Sequence, residues 1–109
     1  MNYKILKKLL FTIKKNKSLN PKISYTATLY KSGIDGCKKK FLEEVKELIN
    51  SLNKSSKNII HEASDVLYHY LVLLECRKIN FQDILQELNK RSKISGLEEK
   101  LKRKNVRSK

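Results

Sequence analysis

Neither Gly nor Pro occurs in this chain between Gly36 and Gly96, and the whole sequence of 109 residues holds three Gly and one Pro. Turns that need a positive φ, and the punctuation that separates short strands, draw on these two residue types above all others. A stretch so poor in them has room for long helices and little else, so the expected class is all-α. The length admits one domain that buries roughly 65% of the surface its unfolded chain would expose, which allows one modest core.

Apolar spacing divides the chain into four or five helices. Residues 3–16 place Ile5, Leu6, Leu9, Leu10 and Ile13 on one face and lysines on the other. A basic amphipathic helix can lie on a membrane. A core-facing helix with a solvated Lys face is commoner, and it is the expectation here. Asn20-Pro21 breaks the chain, Ser24 is placed to cap a short helix through about Tyr30, and Gly33 stands where a left-handed C-terminal residue would. Residues 35–53 then carry Phe41, Val45, Leu48 and Leu52 at i, i+4, i+7 and i+11.

After the polar connection Asn53-Lys54-Ser55-Ser56, residues 57–77 are apolar over much of their circumference. They are expected at the centre, antiparallel to the preceding helix. Asn80 is a cap for a last helix, 81–91, with Asp83 at the capping-box position and Phe81, Ile84, Leu85 and Leu88 facing inward. This reading makes 1–92 the folded domain and 93–109 a strongly basic tail, frayed or ordered only against a partner. A bundle with so wide an apolar face on residues 57–77 is expected to complete its core as a homodimer.

The charge looks like the first clue to function. Lys plus Arg number 25 against 11 Asp plus Glu, a formal net charge of +14. That would suit a small nucleic-acid-binding protein, and such binding is the alternative from another class. Three observations argue against it. Only Arg77, Arg91, Arg103 and Arg107 are Arg, whereas base readout and bidentate phosphate clamping favour Arg over Lys. The lysines are spread along the chain, and the abundance of Lys, Asn and Ile matches a drift toward A/T-rich codons. No apolar run approaches the ~20 residues that cross a bilayer, and the basic N-terminal segment has no small-residue cleavage site after it. Cys37 and Cys76 lie far apart with no Cys-x-x-Cys pair, which points to thiols in a reducing cytosol and to neither a zinc site nor a disulfide framework.

The scarce carboxylates are more informative. Lys40, Glu43, Glu44 and Glu47 share a helix face, and Glu62 and Asp65 stand one turn apart on the next helix. At 100° per residue from Phe41, Glu44 is about 60° off and borders the core, while Glu47 at about 120° and Glu43 at about 160° line an adjoining cleft. Like charges gathered on one face repel, so folding alone gives no reason for the cluster. A hard divalent cation does, because Mg²⁺ takes carboxylate oxygens and keeps waters for a phosphate substrate. His61 and His69 flank Asp65, but eight helical residues span ~12 Å, too far for both to bind one ion, so a supporting or core role is expected for each. Ser24, Tyr25 and Thr26 form a hydroxyl cluster near a helix N-terminus, a place where phosphate can bind. Capping alone would also explain Ser24, and Tyr25 could stack on a base or simply pack.

Glu-Glu-x-x-Glu on one helix followed by Glu-x-x-Asp on the next resembles the all-α nucleotide pyrophosphohydrolases, the MazG-like group that includes the dimeric dUTPases. Within that group, Ser24-Tyr25-Thr26-Ala27, the block Lys40 to Glu47, the run Glu62 to Leu74 and the ending Glu87-Leu88-x-x-Arg91 resemble the phosphoribosyl-ATP pyrophosphohydrolases of histidine biosynthesis. The resemblance covers about residues 5–92. Leu42 departs from it, since the family usually has Gly just before the paired glutamates. Cys37 and the segment 92–109 also fall outside the family's pattern.

The resemblance implies a cytoplasmic, homodimeric enzyme that hydrolyses phosphoribosyl-ATP to phosphoribosyl-AMP and pyrophosphate with Mg²⁺. It implies Glu43, Glu44, Glu47, Glu62 and Asp65 as metal ligands, and Glu44 and Glu47 as catalytic, with Glu44 favoured to orient or deprotonate the water. Lys40, Ser24, Tyr25 and Thr26 are the implied substrate contacts, although Lys40 is as well placed for a helix ion pair. Nothing in charge or spacing separates phosphoribosyl-ATP from other nucleoside triphosphates, so a general house-cleaning pyrophosphohydrolase is the alternative within the class.

Overall fold

The computed structural model describes residues 3–92, and every one of its regular elements is an α-helix: α1 (Lys4–Asn16), α2 (Tyr25–Lys31), α3 (Gly33–Ser51), α4 (Ser56–Cys76) and α5 (Phe81–Ser92). The basic tail 93–109 lies outside the described residues. The chain divides into two compact units, one ending at Ile79 and holding α1 to α4, the other starting at Asn80 and holding α5.

In the first unit α3 and α4 form the main pair, and α1 and α2 pack against α4, with α2 also against α3. The four-residue polar connection turns α3 back on α4, so the start of α3 lies beside the end of α4 and the end of α3 beside the start of α4. Ser55 begins α4 by accepting a hydrogen bond from the Asn58 N–H at 3.4 Å. The buried apolar core is small: Ile13, Ala27, Leu29, Cys37, Leu71 and Val72.

The junction of α1 and α2 is tied by side chains from the break the sequence announces. Ser24 accepts from the Ala27 N–H at 3.1 Å, capping α2, and donates its hydroxyl to the Asn16 carbonyl at 3.2 Å, holding the end of α1. Thr28 donates to the Pro21 carbonyl at 2.8 Å. Gly33 has φ +78, the left-handed conformation in which a Cβ is unfavourable, and it turns the chain from α2 directly into α3.

Several apolar positions are placed differently from their expectation. Ile5 is 70% exposed, because α1 meets the rest of the unit through its C-terminal half, where Ile13 is buried. Leu52 is exposed as well: α3 ends at Ser51, and Leu52 becomes the cap residue, so it falls off the stripe that Phe41, Val45 and Leu48 continue. On α4 the expected central position is found, yet Ile60, Ala63 and Leu67 form an exposed apolar edge. In the second unit Asn80 Oδ1 accepts from the Gln82 N–H at 2.9 Å and caps α5. Phe81 and Ile84 of α5 are half-buried, whereas Leu85 and Leu88, expected to face inward, are exposed.

Tertiary packing also brings Cys37 and Cys76 together, with sulfurs 2.9 Å apart although 39 residues separate them. The Cys37 thiol lies 3.2 Å from the Leu29 carbonyl, which accepts from it. Burial, then the hydrogen bond with Cys37, pushes the Cys76 thiol up to about 12, so Cys76 stays protonated at neutral pH.

Candidate active site

The antiparallel pairing of α3 and α4 brings one face of α3 against the N-terminal half of α4 and converges three carboxylates there. Glu44, Glu47 and Glu62 each direct one oxygen into a group whose members all lie within 4.8 Å of one another. Glu44 is buried, Glu62 half-buried and Glu47 exposed. Among the described residues the buried side-chain oxygens without a hydrogen-bond partner are Glu44 Oε2 and Glu62 Oε2. Leaving a buried polar atom unpaired costs about 1–3 kcal/mol, so two such oxygens in one small cluster are an expense with no structural return. Glu47 feels the crowding directly: the Glu44 charge first, then desolvation and Glu62, hold its carboxyl above the usual carboxylate value.

The remaining predicted ligands stand outside this group. Glu43 is exposed and pairs with Lys40, Nζ to Oε2 at 3.6 Å. Asp65 lies one turn beyond Glu62 with its carboxylate 3.5 Å from His61 Nε2, while its main-chain oxygen accepts from His69 Nδ1 at 2.8 Å. Of the two histidines, His69 is buried and His61 exposed.

Lys40 supplies the nearest cation. Its ammonium lies 3.4 Å from Glu44 Oε1 as well as 3.6 Å from Glu43, so it neutralises one side of Glu44, whose other oxygen, Oε2, is buried without a partner. The neighbouring Tyr25 phenol raises the Lys40 pKa most, followed by the hydrogen bond to Glu44.

The hydroxyl cluster at the start of α2 separates into different tasks. Ser24 is buried and occupied as a cap, and buried Thr26 hydrogen-bonds the Tyr68 hydroxyl of α4. Tyr25 is 51% exposed, and its hydroxyl reaches His69 Nε2 at 3.1 Å. Tyr68 lies within the Glu62–Leu74 run but was not singled out from sequence. Its position three residues after Asp65, on the face of α4 that carries His69, was the available signal.

A pocket of about 270 Å³ opens beside the carboxylates on the opposite flank, lined by Glu47, Asn50, Ser51, Lys54, Asn58 and Glu62. The convergent carboxylates therefore lie between a cation and aromatic ring on one side and an amide- and Lys-lined recess on the other. This arrangement can take a hard cation and a polyanion together.

Comparison with known proteins gives a consistent family. The family model described as phosphoribosyl-ATP pyrophosphohydrolase matches residues 6–92. A phosphoribosyl-ATP pyrophosphatase of Rhodobacter capsulatus is 38% identical over 99 residues, covering 90% of this chain and 96% of that protein. One of Dechloromonas aromatica is 40% identical over 100 residues, 91% of this chain and 93% of the relative. A histidine biosynthesis bifunctional protein HisIE of Helicobacter hepaticus is 43% identical over 103 residues, 94% of this chain but 45% of its own length.

Proposed function

This chain belongs to the phosphoribosyl-ATP pyrophosphohydrolase family, and we propose from that premise how its own residues carry out the reaction. It is a hydrolase that converts phosphoribosyl-ATP to phosphoribosyl-AMP and pyrophosphate in histidine biosynthesis. The match over residues 6–92 is the observation that carries this assignment.

The finer reading concerns the cation. Two buried, unpartnered carboxylate oxygens within a group of three acidic side chains fit a divalent ion with all-oxygen ligands, and Mg²⁺ is the ion that pairs such ligands with a triphosphate. Glu44, Glu47 and Glu62 would hold it, with Glu43 and Asp65 as ligands at the edge of the group. When bound, Mg²⁺ supplies charge neutralisation on the phosphate oxygens and acidifies water.

The protein's side chains do the rest. Glu44 is fixed by Lys40 through Oε1, and with Glu47 and Glu62 carrying most of the ion's ligation Oε2 would be left to orient the attacking water and accept its proton. Water adds to the α-phosphorus as the bond to the bridging oxygen of the β-phosphate breaks, and pyrophosphate leaves. Lys40 offsets charge on the phosphates with Tyr25 beside it, and buried Ser24 and Thr26 support that contact by capping α2 and anchoring Tyr68.

The active form is proposed as a homodimer. The exposed apolar edge Ile60, Ala63 and Leu67 on α4, together with exposed Ile5 and Phe11 on α1, offers a surface for a second copy. Sedimentation velocity should give twice the chain mass at micromolar concentration, and a monomer there would remove the dimer. The adjacent thiols Cys37 and Cys76 fit a reducing compartment such as the cytoplasm. We assign the activity to residues 1–92, and a chain ending at Ser92 is expected to retain turnover.

The test of substrate is a panel measuring pyrophosphate release with Mg²⁺ from phosphoribosyl-ATP and the common nucleoside triphosphates at equal concentration. Phosphoribosyl-ATP is expected to lead by orders of magnitude in kcat/KM. Comparable turnover of plain dNTPs would instead assign the chain to general nucleotide clearance.

A further inference from the structure

His69 is buried on α4 and is bound at both ring nitrogens. Nδ1 lies 2.8 Å from the main-chain oxygen of Asp65. A carbonyl oxygen only accepts, so Nδ1 carries the proton. In the neutral ring Nε2 is then a bare acceptor, and the Tyr25 hydroxyl 3.1 Å away must be its donor. One backbone oxygen next to the carboxylate group thus sets the direction of both hydrogen bonds.

The consequence falls on Tyr25. Its hydroxyl proton is committed to His69 and is not available to a phosphate. Burial holds the phenol above its usual value, against the pull of Lys40, so it remains neutral. The ring is braced as well as the hydroxyl. It stacks on Tyr68 with centroids 6.2 Å apart and 20° between planes, and it meets His69 edge-on at 5.8 Å. Tyr68 is itself anchored to Thr26 and sits edge-on to His69 at 5.2 Å. A ring that only packed a core would be covered, but Tyr25 is 51% exposed despite these constraints.

We propose that His69 is a positioning residue. It takes the Tyr25 hydroxyl proton and holds the Tyr25 ring beside the carboxylate group as an aromatic platform for the nucleobase of the substrate. Tyr25 then contributes stacking and not proton donation, and the direction of that contribution is set from α4. The inference rests on the pyrophosphohydrolase reading above, because it needs a nucleotide in the site.

Steady-state kinetics on the full chain with phosphoribosyl-ATP and Mg²⁺ test it, with circular dichroism confirming the fold of each variant. His69→Asn keeps a donor for the Asp65 carbonyl but is too short to reach Tyr25, whereas His69→Gln extends an acceptor toward it. His69→Asn and Tyr25→Phe are each expected to raise KM about five- to tenfold, the effect of one neutral hydrogen bond, with kcat within about twofold. Because both remove the same bond, the double variant should be no worse than either single one. His69→Gln should restore KM to within about twofold of the parent chain, and Tyr25→Leu, which deletes the ring, should raise KM by roughly tenfold or more.

Independent, multiplying effects of His69→Asn and Tyr25→Phe would overturn the proposal, as would a loss of kcat in Tyr25→Phe that indicates proton donation. Should His69→Asn fail to fold, an unchanged KM in Tyr25→Phe overturns it alone, since that change removes the bond from the exposed side. A parent chain that releases no pyrophosphate from phosphoribosyl-ATP would bring down the activity reading and this inference together. Normal turnover with multiplying effects brings down only the inference.

Discussion

Glu62 and Glu75 lie on the same helix, yet the fold treats them in opposite ways. Glu75, near the C-terminal end of α4, receives the Lys17 ammonium at 2.6 Å, and Lys17 also sits 5.2 Å from the centre of the Tyr30 ring. Glu62, near the N-terminal end, stands grouped with Glu44 and Glu47 and has a buried oxygen with no hydrogen-bond partner. One carboxylate is spent on holding α1 to α4. The other is kept uncompensated beside two more negative charges. Since an isolated buried charge is costly, a cation from outside the chain would relieve the second arrangement and has nothing to add to the first.

Removing charge at each end should therefore have opposite consequences. Glu47→Gln is expected to lower kcat by about a thousandfold or more without lowering the melting temperature of the metal-free protein, because it deletes a repelling charge. Glu75→Gln should leave kcat within about twofold. A comparable loss of activity in both variants, measured as pyrophosphate release, would erase the distinction between the two ends.

Mg²⁺ addition separates them again. At a hundred times its Kd the ion should stabilise the parent chain by about 2.7 kcal/mol, read as a rise in melting temperature, and should do so far less for Glu47→Gln. Calorimetric titration showing no Mg²⁺ binding would contradict the completion argued for Glu62 and Glu44.

The Lys17–Glu75 end should show its worth in stability. Lys17→Met or Glu75→Gln is expected to cost about 1–2 kcal/mol, roughly 4–8 °C for each kcal/mol in a unit of this size. The sign with pH follows from Lys17, whose pKa is raised mainly by its hydrogen bond to Glu75. Its contribution is complete at neutral pH, below the ordinary Lys value, and is lost as pH rises through the raised one. Thermal melts of parent and variant should therefore converge in strong alkali.

The smallest effect belongs to Leu42, the departure from the family pattern directly before the glutamates. It is 59% exposed on α3, so Leu42→Gly should destabilise by about 1 kcal/mol or less, a helix-propensity cost, and should change kcat/KM by less than about threefold. A larger kinetic change would show that the residue before the glutamates reaches the substrate.

Much of this molecule is local and was readable from the chain. Helix positions follow from the 3.6-residue period, and the cap at Ser24, the left-handed Gly33 and the break at Asn20-Pro21 follow from backbone chemistry within a few residues. The Lys40 pairings with Glu43 and Glu44 are one-turn neighbours and needed no tertiary knowledge. Periodicity also placed Glu44 at the edge of the core, where it is found buried.

What periodicity does not contain is the rotation and offset of one helix against another. Tertiary structure alone decided that Glu62, more than Asp65, faces Glu44 and Glu47. It alone joined Tyr25 to His69 across 44 residues, Cys37 to Cys76 across 39 and Lys17 to Glu75 across 58. Each helix carries its own pattern in its own residues, but a contact between helices depends on the packing of both surfaces at once. That is a property of the assembled core and is absent from any single stretch of sequence.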